Sequence, residues 1–357
     1  MPDDSKWLRD ISGNFPLHMT VVSAMPIGTK VLSAESWGIS AWTKTAKICV
    51  ILPGDTPKRY FLKLATGKGA RALTEGELHS ANSINELITG FVPKAAGWGM
   101  YQQAEVAVYW FLGDFHDMEL SRAPEPMRFT SQIAELHRRG ASPNGMFGFQ
   151  VATVCGVMVR TVTWEKSWAA SFTHQLKDVI KYDNEVNPPW PEYDSACEQL
   201  IQKVIPRLLG ILQADGRTII PTLIHGDLWE GNVGIDMETG ESIAFDPGCV
   251  YAHNECEFGT WRCPWAHHFN APIYQRLYQR HFEPSEPAEE WDDRNRLYSI
   301  RALLNQAAGH PGSVAREIAY NDMLYLCQEY APLDTLERYD SEKDITVTGA
   351  RPHVTFP

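Results

Sequence analysis

Two aspartates and an asparagine within residues 222–248 have the chemistry that a phosphoryl transfer requires. Asp227 follows an apolar run and a His-Gly pair, Asn232 comes five residues later, and Asp246 follows two short apolar segments. Phosphoryl transfer depends mostly on positioning and charge neutralisation, so it needs a base for the hydroxyl proton and oxygen ligands for Mg²⁺. We therefore predict that Asp227 is the catalytic base and that Asn232 and Asp246 hold magnesium.

The separation of Asp227 from Asn232 is that of the catalytic loop of protein kinases, H-R-D-x-x-x-x-N, with Gly226 in place of arginine. Residues 233–236 and 241–245 predict a hairpin that ends at Asp246, where kinases place the metal-binding aspartate. The alternative is an ordinary hairpin with Asp and Asn in its turns. The complete pattern favours the catalytic interpretation.

A lysine and a glutamate nearer the amino terminus complete the set expected of an ATP site. Lys63 lies inside a predicted strand, and Glu77, with Glu75 as a second candidate, lies on a predicted helix. In kinases a strand lysine contacts the α- and β-phosphates, and a helix glutamate holds it there. Each residue alone is more typical of an exposed strand edge or helix face. The order of all the motifs along the chain favours the functional interpretation.

A β-rich segment with one helix precedes the catalytic stretch. Runs of β-branched and aromatic residues predict strands, and an apolar stripe at helical period predicts the helix. The predicted elements are strands 46–52 and 59–64, a helix over 68–88, and strands 97–102 and 105–112. Residues 1–32 are expected to be irregular or partly helical.

Polar residues 113–117 interrupt this pattern where a kinase has the hinge between its lobes. We therefore predict an amino-terminal nucleotide-binding lobe over residues 1–112 and a carboxyl-terminal catalytic and substrate-binding lobe over residues 113–357. Order in the chain, rather than any motif, places the adenine of ATP against the backbone near Trp110, Phe111 and Leu112.

The rest of the chain predicts mainly helices. Their expected ranges are 127–139, 168–182, 193–213, 271–282, 291–308 and 312–330. Pro206 should kink or interrupt the third of these helices. Residues 147–164 predict a loop with short extended pieces, and no strong period follows residue 332. The predicted fold class is α+β: a bilobal protein-kinase-like fold with a small β-rich lobe and a larger, mainly helical lobe.

Composition limits the classes of partner. The 357 residues carry a net charge of −12, which argues against nucleic acid and anionic membranes because a phosphate surface needs a basic footprint. The seven cysteines include no C-x-x-C pair, which indicates reduced thiols. Residues 1–10 lack the basic-then-apolar pattern of a signal, and the apolar run 106–112 is too short to cross a bilayer. We therefore expect a cytoplasmic protein.

The ordered motifs resemble those of the fructosamine-3-kinase (ketosamine-3-kinase) family, a branch of the aminoglycoside-phosphotransferase-like kinases. H-G-D with D-P alone indicates the broader superfamily, whereas the remaining motifs point to the ketosamine branch. The matching motifs are YFLK (60–63), EGE (75–77), QIAELH (132–137), FGF (147–149), TxxG (153–156), WxxxW (164–168), HGDLWxGN (225–232), FDP (245–247) and YxHxExE (251–257).

This resemblance implies ATP- and Mg²⁺-dependent phosphorylation of the 3-hydroxyl of a ketosamine, a ribulosamine or fructosamine adduct on a small amine or a protein lysine. The 3-phosphate makes the adduct unstable, so the implied outcome is deglycation. Asp227 is then the base, Asn232 and Asp246 hold Mg²⁺, and Lys63 and Glu77 seat the phosphates. The resemblance further implies that the substrate contacts are Trp229, His253 and Glu255.

Two segments depart from the family pattern, and both are expected to face the acceptor. Where the family has Pro-Gln and then Asn, this chain has Val159, Arg160 and Val162, and the family's L-N-H-x-N-H is Leu-Asn-Gln-Ala-Ala-Gly over 304–309. These departures bear on the choice of sugar or amine. The alternatives are another small-molecule kinase of choline or aminoglycoside type, or a nucleotide-binding pseudokinase without a reaction.

Two further clusters carry less weight. Cys256, Cys263, His267 and His268 lack the paired short-gap spacing of zinc ligands. The aromatic residues at 261, 265, 269 and 291 could form a wall against which a sugar stacks. At these spacings aromatic residues are more often packing residues, so we assign most of them to the core.

Overall fold

A five-stranded antiparallel sheet forms the small lobe in the computed structural model, which describes residues 6–38, 43–156 and 158–354. The strand order is β1-β2-β3-β5-β4, and α2 packs against β3, β4 and β5. The elements are α1 (Met19–Val22), β1 (Lys30–Ser36), β2 (Lys44–Leu52), β3 (Thr56–Thr66), α2 (Ala70–Leu87), β4 (Ala95–Gln103) and β5 (Val106–Asp114).

The four predicted strands and the predicted helix of this lobe are confirmed, with two differences. β1 lies in the segment that sequence alone left without a strand, and its partner is β2. β5 continues to Asp114, because that residue pairs with Tyr60 of β3. The predicted lobe boundary after residue 112 therefore falls inside a strand.

Trp110 belongs to the core of the small lobe. Its side chain is 3% exposed and packs among the buried residues of the sheet. A Cβ at Gly99, on the neighbouring strand, would lie 2.6 Å from the indole, so glycine is what allows the ring to cover β4. Leu112 is fully buried in the same core. Both side chains therefore serve packing.

The large lobe is mainly helical, with short strands that carry the catalytic loops. Its elements are β6 (Met118–Glu119), α3 (Pro126–Arg139), β7 (Val154–Cys155), β8 (Met158–Val159), α4 (Trp168–Val186), α5 (Pro191–Gln199), α6 (Ile205–Leu208), β9 (Thr222–Ile224), β10 (Val233–Asp236), β11 (Ser242–Ala244), β12 (Val250–Ala252), α7 (Pro272–His281), α8 (Trp291–Gly309), α9 (Ala315–Tyr330) and α10 (Ile345–Thr348).

The helix predicted over 193–213 is divided in the structure. α5 passes into a π-helical turn, Leu200–Val204, and then into α6 and a 3₁₀ turn, Gly210–Gln213. Pro206 has no backbone N–H to donate, and its ring crowds the preceding turn, so a regular α-helix cannot run through it. The wider π turn accommodates the chain immediately before the proline.

Two small sheets bring the catalytic loops together. β9 pairs with β12, and β10 pairs with both β11 and β6. The loop with Asp227 runs from β9 to β10, and Asp246 lies between β11 and β12. Asp227 and Asp246 therefore both lie in short loops, and the strands on either side of each loop are paired with other strands of the large lobe.

A continuous core joins the lobes. Ala81 and Ile84 of α2 pack in one cluster with Phe129 of α3 and Leu228 of the catalytic loop. A second core lies among the helices α4, α5, α8 and α9. Within the described residues, none of the helices combines the length and apolar character needed to cross a membrane.

Candidate active site

The five predicted polar residues meet in one cleft. A cavity of about 340 Å³ between the lobes is lined by Lys63, Glu77, Asp227, Asn232 and Asp246. They come from β3, from α2 and from the two catalytic loops. The fold therefore brings together side chains that lie far apart along the chain.

Lys63 is the charged link between the lobes. Its Nζ lies 2.7 Å from Glu77 Oε2 and 2.7 Å from Asp246 Oδ1. The lysine is only 5% exposed, and that burial disfavours its charge, but Asp246 and Glu77 together raise the pKa of Lys63 above its ordinary value. The side chain therefore stays cationic where the phosphates of a nucleotide would lie.

Asp227 and Asn232 form one hydrogen-bonded unit. Asn232 Nδ2 donates to Asp227 Oδ2 at 3.0 Å and to the Asp227 carbonyl oxygen at 2.9 Å. Burial raises the pKa of Asp227 to about 6, against the opposing charge of Arg160. A carboxylate of this kind can accept a hydroxyl proton near neutral pH.

The donor set fits a hard divalent cation. Both amide hydrogen bonds of Asn232 are made by its nitrogen, which leaves its oxygen as a ligand atom. The side chain of Asp246 is 44% exposed to the cleft, with one oxygen on Lys63. An amide oxygen and a carboxylate, completed by phosphate oxygens and water, are ligands that Mg²⁺ accepts.

The His-Gly-Asp turn is held from both sides by buried charged side chains. Glu257 accepts hydrogen bonds from the backbone N–H groups of His225 and Gly226, at 2.6 and 2.9 Å. Arg160 Nη2 donates to the Gly226 carbonyl oxygen at 2.8 Å. Gly226 has φ of +81°, and a Cβ there would lie 2.3 Å from the Gly248 carbonyl oxygen. Only glycine therefore fits this turn.

Glu257 is a functional residue that the sequence reasoning missed. Although burial favours the neutral acid, the nearby imidazoles of His137 and His225 and the hydrogen bond from the Gly226 N–H lower the pKa of Glu257, so it stays ionised. His137 Nε2 lies 3.5 Å from Glu257 Oε2. His137 and Glu257 both belong to family motifs in the sequence, QIAELH and YxHxExE. The second motif contains two glutamates, and the sequence does not indicate which of them reaches the catalytic loop.

The cleft continues into a second cavity beside the segment that was predicted to meet the adenine of ATP. A second cavity of about 340 Å³ shares Lys63, Glu77 and Asp246 with the first, and Phe111 and residues 113–116 line it. Phe111 was expected there. The side chains of Trp110 and Leu112 line neither cavity because they fill the core of the small lobe. A contact of the adenine with the backbone of these two residues stays a prediction.

One end of the first cavity is aromatic and amide-rich. Trp229, as expected, and Trp265, Asn305, Gln306 and His310 line it. Trp265 is one of the four aromatic residues of which most were expected in the core; it is 8% exposed, packs in the core and also lines the cavity. Of the two segments that depart from the family pattern, the later one reaches this cavity. In the earlier one, Arg160 lies behind the catalytic loop instead.

His253 and Glu255 are structural residues, which corrects their assignment as substrate contacts. His253 is 1% exposed and shares hydrogen bonds with Tyr298 and Ser285, both at 2.8 Å. Glu255 is fully buried and receives Arg294 Nε and Nη2 at 2.6 and 3.0 Å. Neither lines the cavity, because the 3₁₀ segment Asn254–Arg262 turns their side chains into the core.

Comparison with known proteins identifies the family to which the chain is similar. The family model "Fructosamine kinase" matches residues 43–323. The chloroplastic protein-ribulosamine 3-kinase of Oryza sativa subsp. indica is 30% identical over 175 residues, which are 49% of this chain and 46% of that protein. Ketosamine-3-kinase of Mus musculus is 28% identical over 301 residues, covering 75% of this chain and 88% of the relative. The chain thus matches about half the length of the rice relative.

Solved structures agree on the fold. A putative fructosamine-3-kinase from Haemophilus somnus has a TM-score of 0.64 at 16% identity, covering 83% of this chain and 91% of that one. An aminoglycoside phosphotransferase has a TM-score of 0.56 at 14% identity, with 85% and 96% covered. The predicted bilobal kinase-like fold is confirmed, and with the family model spanning most of the sequence, the chain belongs to the fructosamine kinase family.

Proposed function

We propose that this protein is an ATP-dependent kinase that phosphorylates the 3-hydroxyl of ketosamines. The observation that carries the proposal is the convergence of Lys63, Glu77, Asp227, Asn232 and Asp246 on one cavity, in a chain of the fructosamine kinase family. The mouse relative is named a ketosamine-3-kinase and the rice relative a protein-ribulosamine 3-kinase. A ribulosamine or fructosamine adduct is therefore the proposed acceptor.

Each charged residue has one task in the proposed reaction. Asp227 accepts the proton of the attacking hydroxyl, and Asn232 fixes the carboxylate that does so. Lys63, held by Glu77, contacts the phosphates. Asn232 and Asp246 would hold Mg²⁺, which when bound neutralises charge on the transferred phosphoryl group.

The acceptor cavity suits a sugar joined to an amine. The indoles of Trp229 and Trp265 offer apolar faces to a sugar, and Asn305 and Gln306 offer amide groups to hydroxyls. The acids that line the cavity favour a cationic amine over an anionic acceptor. Phosphorylation at the 3-position would destabilise the adduct, so the proposed consequence is deglycation of an amine or a protein lysine.

A cytosolic setting is proposed on the state of the cysteines. All seven are free, and six are buried. Reduced thiols are typical of proteins that work in a reducing compartment.

A substrate panel tests the proposal. The purified chain with ATP and Mg²⁺ should consume ATP on ribulosamine or fructosamine adducts of lysine, with product phosphate on the 3-oxygen by NMR. Turnover confined to choline or an aminoglycoside would assign it to a sister class of kinases. No turnover on any acceptor, with nucleotide binding retained, would favour a pseudokinase.

Asp227→Asn separates catalysis from binding in the same assay. Loss of the base should lower kcat by about 10²-fold or more while nucleotide binding persists. Asp215→Asn is the matched control, since the Asp215 side chain is 83% exposed and lies outside both cavities. Equal activity of the two variants would contradict the assignment of Asp227.

A further inference from the structure

A buried thiol lies against the carboxylate of the proposed catalytic base. Cys155, at the end of β7, is 6% exposed and lines the same cavity as Asp227. Its Sγ donates a hydrogen bond to Asp227 Oδ1 at 3.5 Å, while Asn232 Nδ2 donates to Oδ2 at 3.0 Å. Each oxygen of the carboxylate therefore accepts a hydrogen bond from a different part of the chain.

The groups around the sulfur direct its proton to Asp227. Asn305 Nδ2 lies 3.6 Å from the sulfur, and Arg301 interacts with the same thiol. An amide nitrogen and a guanidinium can only donate, so both meet the lone pairs of the sulfur. Burial and the charge of Asp227 outweigh the two nearby arginines and raise the pKa of Cys155, so the thiol keeps its proton.

The strand that carries the thiol is itself held in place. Asn305 Nδ2 donates to the Cys155 carbonyl oxygen at 2.9 Å, which ties β7 to α8. A Cβ at Gly248 would lie 2.1 Å from the Val154 carbonyl oxygen, so β7 packs directly on the backbone of the loop that carries Asp246. The sulfur therefore has little freedom to move relative to the cleft, as a side chain that supports a catalytic group requires.

A weak second donor suits the carboxylate of a base. The terminal torsion of an aspartate is soft, so a hydrogen bond to one oxygen alone leaves the plane of the carboxylate poorly fixed. A donor on each oxygen restrains that rotation. A thiol is a weak donor, and two of the about four lone-pair sites of the carboxylate stay open for the proton of an attacking hydroxyl.

We propose that Cys155 is a positioning residue for the phosphoryl transfer, since its thiol and the amide of Asn232 together fix the plane of the Asp227 carboxylate. This inference rests on the proposed function, in which Asp227 is the base. A carboxylate that rotates away from the attacking hydroxyl lowers the rate of transfer, whereas the contacts that bind ATP and the acceptor remain. The expected effect is therefore on kcat rather than on KM.

Steady-state kinetics on three variants test this role. Cys155→Ala removes the donor and should lower kcat about 10-fold, with KM for ATP and for the ketosamine within about twofold of the wild-type values. Cys155→Ser is nearly equal in size to alanine but keeps a donor, so it should recover most of the lost kcat. Cys197→Ala is the control, because it removes a 4% exposed thiol that contacts Met323 in the core of the large lobe, and it should keep kcat.

The difference between serine and alanine at position 155 decides the interpretation of these kinetics. Recovery of kcat in Cys155→Ser supports the role of the donor. Equal kcat in the two variants would overturn the proposal, and so would a loss in both that follows the fall in Tm, because either result would make Cys155 a packing residue.

The infrared S–H stretch tests the hydrogen bond without turnover and without any Cys155 variant. A hydrogen bond to a charged acceptor is stronger than one to a neutral acceptor, so one S–H band should move to higher frequency in Asp227→Asn. Asp215→Asn, the control, should leave every band in place. Identical S–H bands in wild type and Asp227→Asn would overturn the proposal even in an active kinase. A shifted band without turnover on any ketosamine would instead overturn the proposed function alone.

Discussion

Glu257 shows how a single buried carboxylate can set the geometry of a catalytic loop. Its two oxygens accept the N–H groups of His225 and Gly226, and the peptide that follows carries Asp227. The carboxylate also lies 3.5 Å from Nε2 of His137, and this nearby imidazole helps to keep Glu257 ionised. Asp227 therefore depends on a residue that itself lines neither cavity.

Replacing Glu257 with Gln should impair catalysis more than nucleotide binding. Glutamine can accept one of the two N–H bonds, but its NH₂ group would face the other donor, and a buried unsatisfied donor costs about 1–3 kcal/mol. We expect kcat to fall about 10- to 100-fold with little change in KM for ATP, measured by steady-state kinetics.

Glu255→Gln is the matched control for that experiment. Glu255 lies in the same 3₁₀ segment, but its carboxylate is paired with Arg294 and does not touch the His-Gly-Asp turn. Its loss should lower Tm because Arg294 remains buried and unpaired, while the folded enzyme keeps its kcat. If both variants lose kcat in proportion to stability, Glu257 has no specific role in the loop.

The five polar residues of the cavity could be predicted from the sequence because their residue types and their order along the chain match those of a kinase. The supporting residues could not. Glu255 and Glu257 differ by two positions on a short 3₁₀ turn, and which one faces the catalytic loop depends on the register of that turn against β9. Arg160 reaches Gly226 across 66 residues of sequence, a contact that no local pattern encodes.

At the scale of elements, periodic segments were predictable and their ends were not. The ends of strands depend on pairing with neighbouring strands. β5 extends to Asp114 because that residue pairs with β3, and residues 30–36 form β1 because they pair with β2. Residues 193–213 have the apolar pattern of one helix, yet the α-helix passes into a π turn just before Pro206, which cannot join the regular hydrogen bonding. Such effects arise from tertiary contacts and backbone geometry rather than from hydrophobic period.

One buried acid is prominent among the contacts that attach the carboxyl-terminal tail to the large lobe. Asp344 caps α10 by accepting from Thr346 N, and it also accepts from Tyr339 and from Arg296, at 2.7 and 2.8 Å. Burial alone would raise its pKa, but the hydrogen bonds from Thr346 and Tyr339 and the charge of Arg296 outweigh that effect and lower the pKa of Asp344 well below its ordinary value. Ionised Asp344 is therefore part of the folded state.

This depressed pKa predicts an acid-dependent loss of stability. The unfolded carboxyl has a pKa of about 3.9, so the contribution of Asp344 is fully present above that pH and declines as the pH falls toward its lower folded pKa. Asp344→Asn should destabilise the protein by about 1–3 kcal/mol at pH 7, measured by urea unfolding. The difference from wild type should shrink below about pH 4. A constant difference from pH 7 to pH 3 would contradict the role of the ionised carboxylate.

At the scale of the whole molecule, charged side chains from both lobes meet in the cleft. Lys63 from the small lobe contacts Asp246 from the large lobe, and the two cavities meet at this pair. The bilobal fold could be predicted because the motif order already separated a strand lysine and helix glutamate from the later catalytic loop. The acceptor end could not, since its wall comes from four distant segments that include Trp229, Trp265 and the carboxyl end of α8.

ATP with Mg²⁺ should therefore stabilise the whole chain through contacts from both lobes. A ligand at 100 times its Kd adds about 2.7 kcal/mol to the free energy of unfolding, which raises Tm in a thermal shift assay. Asp246→Asn removes a proposed metal ligand and the countercharge of Lys63, so the Tm gain caused by Mg²⁺ beyond that of ATP alone should nearly vanish. Asp215→Asn should retain it, and because each variant is compared with itself, any intrinsic loss of stability in Asp246→Asn cancels. An undiminished Mg²⁺-dependent gain in Asp246→Asn would place the metal elsewhere.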